Sequence, residues 1–155
     1  MTTLLGEFKA ITKALSDAGI EYAVCGGWAM AMHGLARATV DIDLLILSED
    51  LSRAWETAKS LNYDVEGLPL SFSKGAVEIR RLSKVDKEAK RLFTIDFLLV
   101  TDALRGVWEE RELIDWEEGR SSVVSKNGLI YLKRMAGRDQ DLLDIKRLEE
   151  TVDES

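Results

Sequence analysis

Asp41-Ile42-Asp43 carries the strongest chemical signal in the chain. It lies in residues 40–47, Val-Asp-Ile-Asp-Leu-Leu-Ile-Leu, a largely apolar run that reads as a strand. Residues two apart on a strand project to one face. Asp41 and Asp43 therefore point together, while Val40, Ile42 and Leu44 point into the core. Two like charges side by side on a buried strand are costly unless a cation stands between them. A divalent metal meets that need. Mg²⁺ takes a few carboxylate oxygens together with phosphate oxygens and water.

A third acid stands in a second apolar run. Residues 92–100, Leu-Phe-Thr-Ile-Asp-Phe-Leu-Leu-Val, place Asp96 alone in mid-strand. If this strand lies beside residues 40–47, Asp96 completes a cluster of three carboxylates. Such a cluster can hold two metal ions, one on an acceptor hydroxyl and one on a triphosphate. Upstream, Gly26-Gly27 marks the junction of a strand and a short helix. Glycine lets backbone approach a ligand closely, and N–H groups at a helix start attract phosphate.

These residues need a scaffold. Residues 3–18 read as an amphipathic helix, with Leu4, Phe8, Ile11, Leu15 and Ala18 at spacings of three and four. A strand over 20–25, a short helix over 28–34 and the strand over 40–47 follow. Ser48 is expected to cap a helix over 49–61. A turn surrounds Gly67-Leu68-Pro69, and a strand covers 76–82. The basic segment 80–91 then reads as a solvated loop. After the strand over 92–100 come a short helix near 103–109 and one minor strand within 111–124. Helices over 126–135 and 138–150 close the chain. The fold class is α/β (or α+β), a mixed β-sheet flanked by helices. Residues 1–150 are expected to form one domain, with 151–155 a disordered tail.

Composition bounds the setting. The 155 residues are 46% hydrophobic and 32% charged, enough apolar material for a core and enough charge for a solvated surface. The net charge of −7 disfavours a dedicated duplex-binding protein, whose affinity rests on basic phosphate contacts. No apolar stretch approaches the ~20 residues that span a bilayer. The lone Cys25 and the absence of a signal-like N-terminus point to a cytoplasmic protein with no membrane partner. Cys25 reads as a small buried residue. His33, the one histidine, has no partner in sequence for catalysis or metal binding. Trp28, Trp55, Trp108 and Trp116 read as core or half-buried residues.

The run Tyr22-Ala23-Val24-Cys25-Gly26-Gly27-Trp28-Ala29, with His33-Gly34, Arg37, Thr39 and Asp41-Ile42-Asp43, resembles the DNA polymerase β-like nucleotidyltransferases. Their pattern is a diglycine or Gly-Ser, a short helix, Asp-x-Asp and a third acid on a later strand. Residues 129–145, from Leu129 through Lys133, Arg138, Asp141 and Asp144 to Ile145, are similar to the Lys…Arg-x-x-Asp-x-x-Asp segment of AbiEii-like nucleotidyltransferases. Many of those are toxins of toxin–antitoxin or phage-defence systems. The likeness covers residues 20–47 and 92–148.

The resemblance implies the nucleotidyltransferase fold, an NTP donor and Mg²⁺, two ions with Mn²⁺ as a substitute. Asp41, Asp43 and Asp96 would bind metal, with Asp96 the alternative general base. Gly26 and Gly27 would hold the triphosphate. Lys133 would approach its phosphates, helped by Arg37, Thr39, Arg138 and Asp141. Arg138, Asp141 and Asp144 fall three apart, on a face read as opposite Leu142, Ile145 and Leu148. Asp144 there reads as part of an exposed ion-pair stripe. The expected activity is transfer of an NMP from an NTP, ATP among them, to a hydroxyl with release of pyrophosphate. The acceptor stays open among a tRNA end, a protein hydroxyl and a small molecule such as an aminoglycoside. A second function class is an antitoxin-like or regulatory module that binds a toxin or antitoxin partner with weak or no turnover.

Overall fold

The computed structural model describes residues 3–35 and 39–152. The chain runs α1 (Leu4–Asp17), β1 (Ala23–Cys25), α2 (Gly26–Met32), β2 (Asp41–Leu47), α3 (Leu51–Ser60), β3 (Val65–Glu66), β4 (Leu70–Phe72), β5 (Val77–Asp86) and β6 (Arg91–Val100). It continues with α4 (Arg105–Glu109), β7 (Glu112–Trp116), β8 (Gly119–Val123), α5 (Lys126–Ala136) and α6 (Asp139–Val152). The strands form one mixed sheet in the order β3-β5-β6-β2-β1-β8-β7, with β4 paired to β5. Helices flank it. Among the described residues, no helix is long and apolar enough to cross a membrane.

The sheet's centre is its most apolar part. Ile42, Leu44, Leu45 and Ile46 of β2 and Phe93, Ile95 and Phe97 of β6 are buried. β2 pairs in parallel with β6 and antiparallel with β1, so both of its edges are covered. α1 and α3 complete the core with Phe8, Ile11, Leu15, Ala54 and Ala58. A polar tie links α1 to the sheet. Glu7, itself buried, accepts from the Tyr63 hydroxyl at 2.7 Å and pairs with Lys84 at 2.6 Å.

The structure departs from the sequence reading in several places. Residues 80–91 are not a solvated loop. They are the end of β5 and its tight connection to β6, paired from Ile79↔Leu98 to Asp86↔Arg91. The Asp86 carboxylate accepts from the Glu88 and Ala89 N–H groups and closes the turn. Short β3 and β4, unforeseen, border β5. The single minor strand expected within 111–124 is a hairpin, β7–β8. Ser48 opens a 3₁₀ turn rather than capping α3, and its hydroxyl reaches the Val100 carbonyl. α6 continues through Thr151 to Val152, where a tail was expected, while residues 153–155 lie outside the described part.

Candidate active site

Strand register assembles the site. Cys25 pairs with Asp43, Asp43 with Asp96, and Asp96 with Arg81. These four residues form one row across β1, β2, β6 and β5. Directly paired positions share a face, with Cβ atoms about 5 Å apart. The adjacent row, one pleat away on the same face, is Asp41–Thr94–Ser83. In the other direction the row is Ala23–Leu45–Leu98–Ile79. Three acids therefore share one face, bordered by an apolar floor. α5 covers that floor, and together they enclose a cleft of about 310 Å³ lined by the three acids and by Gly26, Arg81, Lys133, Arg138 and Asp141.

Gly26 begins α2 with φ +66°, and a Cβ there would stand 2.0 Å from Oδ2 of Asp43. Only glycine lets the β1–α2 junction pass this close to the carboxylate. Gly27 follows as the second residue of α2. Burial, then the nearby Asp96 and Asp41 charges, push the Asp43 carboxyl up to about 7. Asp41 is raised too, by burial and then Asp96. Burial first, and Asp43 and Asp96 after it, hold the Cys25 thiol well above its ordinary range, so it is no thiolate nucleophile.

Asp96 is buried and engaged. Arg81 donates from Nε to Oδ1 at 2.7 Å and from Nη2 to Oδ2 at 2.8 Å, a two-pronged pairing. Asp41 and Asp43 have no such ion pair among the described residues. Among those residues, too, no group of three or more His, Cys, Asp or Glu side chains is arranged to hold a metal ion. The donor chemistry nonetheless suits one. Asp43 sits between two like charges that raise its proton affinity, and a divalent cation would relieve that repulsion.

The C-terminal helices supply cations. Ser125 caps α5 by accepting from Gly128 N–H, and Gly137 ends it in the left-handed conformation. On α5, Lys133 is buried, and its Nζ donates to Asp144 at 3.0 Å and lies 3.8 Å from Asp141. Arg138 bonds the Asp141 carboxylate through Nε at 2.7 Å, and its backbone N–H donates to the same group at the start of α6. Asp144 is fully buried, not part of an exposed stripe. Positions 141, 144, 145 and 148 share the inward face of α6, whereas Leu142 is exposed.

Other expectations resolve simply. The Thr39 hydroxyl, two residues before β2, donates to the Asp41 carbonyl at the start of that strand. Arg37 lies outside the described residues. His33 Nε2 donates to the Val124 carbonyl at 2.8 Å, a structural tie between the end of α2 and the residue after β8. Trp28 stacks on Phe8 at 4.5 Å and meets Trp116 edge-on. Sequence reasoning missed Arg81 and misplaced Asp144. The one signal for Arg81 was its place next to β6 in a hairpin.

No protein-family model matches the chain, and no curated protein matches it. Solved structures do. The Thermotoga maritima protein TM1012, assigned as a candidate nucleotidyltransferase, is 12% identical with a TM-score of 0.63, over 97% of this chain and 93% of that one. ANT(2″)-Ia, whose crystal structure holds adenylyl-2″-tobramycin, is 15% identical with a TM-score of 0.66, over 97% and 90%. JHP933 from Helicobacter pylori is 20% identical with a TM-score of 0.55, over 92% and 62%. The chain has the fold of the nucleotidyltransferases.

Proposed function

We propose that this protein is a metal-dependent nucleotidyltransferase, moving an NMP from an NTP to a hydroxyl acceptor with release of pyrophosphate. The observation that carries the reading is the shared face of Asp41, Asp43 and Asp96, set by register in a cleft beside Gly26 and bounded by Lys133 and Arg81. Asp41, Asp43 and Asp96 would hold Mg²⁺. The ion would neutralise triphosphate charge and make the α-phosphorus more open to attack.

The chain's own residues set the remaining terms. Gly26 keeps backbone close to the acids, where a phosphate can lie against it. Lys133 and Arg81 bring positive charge to the cleft that holds the acids, suited to a leaving pyrophosphate. In the reaction the acceptor oxygen bonds to the α-phosphorus and the bond to the bridging oxygen of the β-phosphate breaks. The hydroxyl proton passes to a carboxylate of the site or to water.

The acceptor is a compact hydroxyl compound or chain end rather than a long duplex, in keeping with the net charge of −7. Among the described residues lining the cleft, the one acid beyond the three is Asp141, and Lys133 and Arg138 bind it. Thermal denaturation tests the donor side. Mg²⁺ with a non-hydrolysable α,β-methylene NTP should raise Tm, and Asp43→Asn should abolish the rise. An unchanged wild-type curve with each of the four nucleotides contradicts the proposal.

A further inference from the structure

Arg81 occupies both oxygens of the acid that completes the site. Its fork meets Asp96 at 2.7 and 2.8 Å, and the register places it there directly, one strand over on the same row. The stem of Arg81 is confined. Gly67 donates its N–H to the Arg81 carbonyl, and a Cβ at Gly67 would stand 3.1 Å from the Arg81 Cβ. The head is not confined, because the Arg81 side chain is 41% exposed and lines the open cleft. A guanidinium keeps its charge at all ordinary pH, so it cannot yield to a metal by losing a proton. It can yield only by finding another anion. Carboxylate and phosphate oxygens fit the same planar fork.

We infer that Arg81 is a latch on the third metal ligand: it holds Asp96 in the nucleotide-free protein and releases it when triphosphate oxygens take the guanidinium. This rests on the nucleotidyl-transfer reading above and adds a dependence to it. Metal on Asp96 and Arg81 on phosphate are alternative to the resting pair, so they arise together. Free metal then competes poorly for Asp96, while metal arriving with its nucleotide does not. The residue is a positioning group that acts through Asp96 and the phosphate. It is not a proton carrier.

The test measures Mn²⁺ binding by electron paramagnetic resonance, without nucleotide, in wild type, Arg81→Met, Asp96→Asn and the double variant. Circular dichroism confirms folding, and Arg81→Lys, which keeps charge but lacks the fork, serves if the methionine variant does not fold. Arg81→Met should bind free Mn²⁺ about tenfold tighter than wild type, a coupling of ordinary size. The gain should vanish in Arg81→Met with Asp96→Asn, because it is delivered through Asp96. Arg81→Met should also bind metal-free α,β-methylene ATP about tenfold more weakly, and Arg81→Lys should recover part of that loss. Equal or weaker Mn²⁺ binding by Arg81→Met, or a gain that survives loss of Asp96, overturns the latch while leaving nucleotidyl transfer standing. No Mn²⁺ binding by wild type even with α,β-methylene ATP overturns both.

Discussion

Gly26 and Asp43 meet with no room between them: a Cβ at residue 26 would overlap Oδ2 of the carboxylate at 2.0 Å, on a backbone already at φ +66°. Gly26→Ala must therefore move Asp43 or the β1–α2 junction. The expected result is a loss of about 10²-fold in kcat/KM, the cost of misplacing a site group by roughly an ångström. Gly34→Ala is the control. Gly34 also has positive φ, +89°, but among the described residues nothing lies within 4 Å of its added Cβ. That variant should show only the backbone penalty, about 1–2 kcal/mol of stability, with near-normal activity. Urea unfolding and steady-state kinetics on both variants separate clash from strain.

The Asp43 carboxyl gives the metal-free protein a pH signature. Its folded value, about 7, lies above the ordinary 3.8, so between those values the folded state binds more protons than the unfolded state. Stability from this group is present below about pH 4, is lost as pH rises towards 7, and is flat above it. At about 1.4 kcal/mol per pH unit, the span corresponds to about 4 kcal/mol at most. Asp43→Asn removes the titrating group. Without metal at about pH 8 it should be more stable than wild type by about 2–4 kcal/mol, and the difference should shrink towards about pH 4. Urea denaturation midpoints at several pH values check this. Greater stability of the wild type at the alkaline end would contradict it.

Lys133 and Asp144 form a buried ion pair between α5 and α6. Asp144→Ala leaves the buried Lys133 with the more distant Asp141, at 3.8 Å, so it should cost somewhat less than the roughly 3–5 kcal/mol of a wholly uncompensated buried charge. Lys133→Met with Asp144→Leu should recover much of that stability, because two apolar side chains can replace a buried pair. Nucleotide binding should not recover, since the cation is gone. Chemical denaturation and calorimetric titration with α,β-methylene ATP read the two effects apart. If the double variant bound nucleotide as wild type does, Lys133 would have only a packing role.

Much of this site is legible in the amino-acid order, and the missing parts share a cause. β2 and β6 stand out because an acid within a long apolar run marks a buried strand whose charge needs a partner. What no local pattern contains is that these two strands are neighbours with Asp43 opposite Asp96. Arg81 is hidden for the same reason. Ile79-Arg80-Arg81-Leu82 lacks clean alternation, and a basic hairpin reads like a basic loop until its partner strand is known. β3 and β4 are two and three residues long, too short to show a period. The face of α6 is easily misjudged. Asp141, Asp144, Ile145 and Leu148 fall at helical spacings of three and four, and two acids on an inward face call for a buried cation. Lys133 supplies it from another helix.

Label transfer reads nucleotidyl transfer by this protein directly. The protein, Mg²⁺ and NTPs labelled at the α-phosphate are incubated with separate pools of tRNA, cell protein and small hydroxyl compounds, beside Asp43→Asn and a parallel reaction labelled at the γ-phosphate. One pool should gain α-label while γ-label leaves as pyrophosphate, and Asp43→Asn should do neither. Transfer of γ-label to an acceptor, or α-label transfer undiminished in Asp43→Asn, would contradict the proposed reaction.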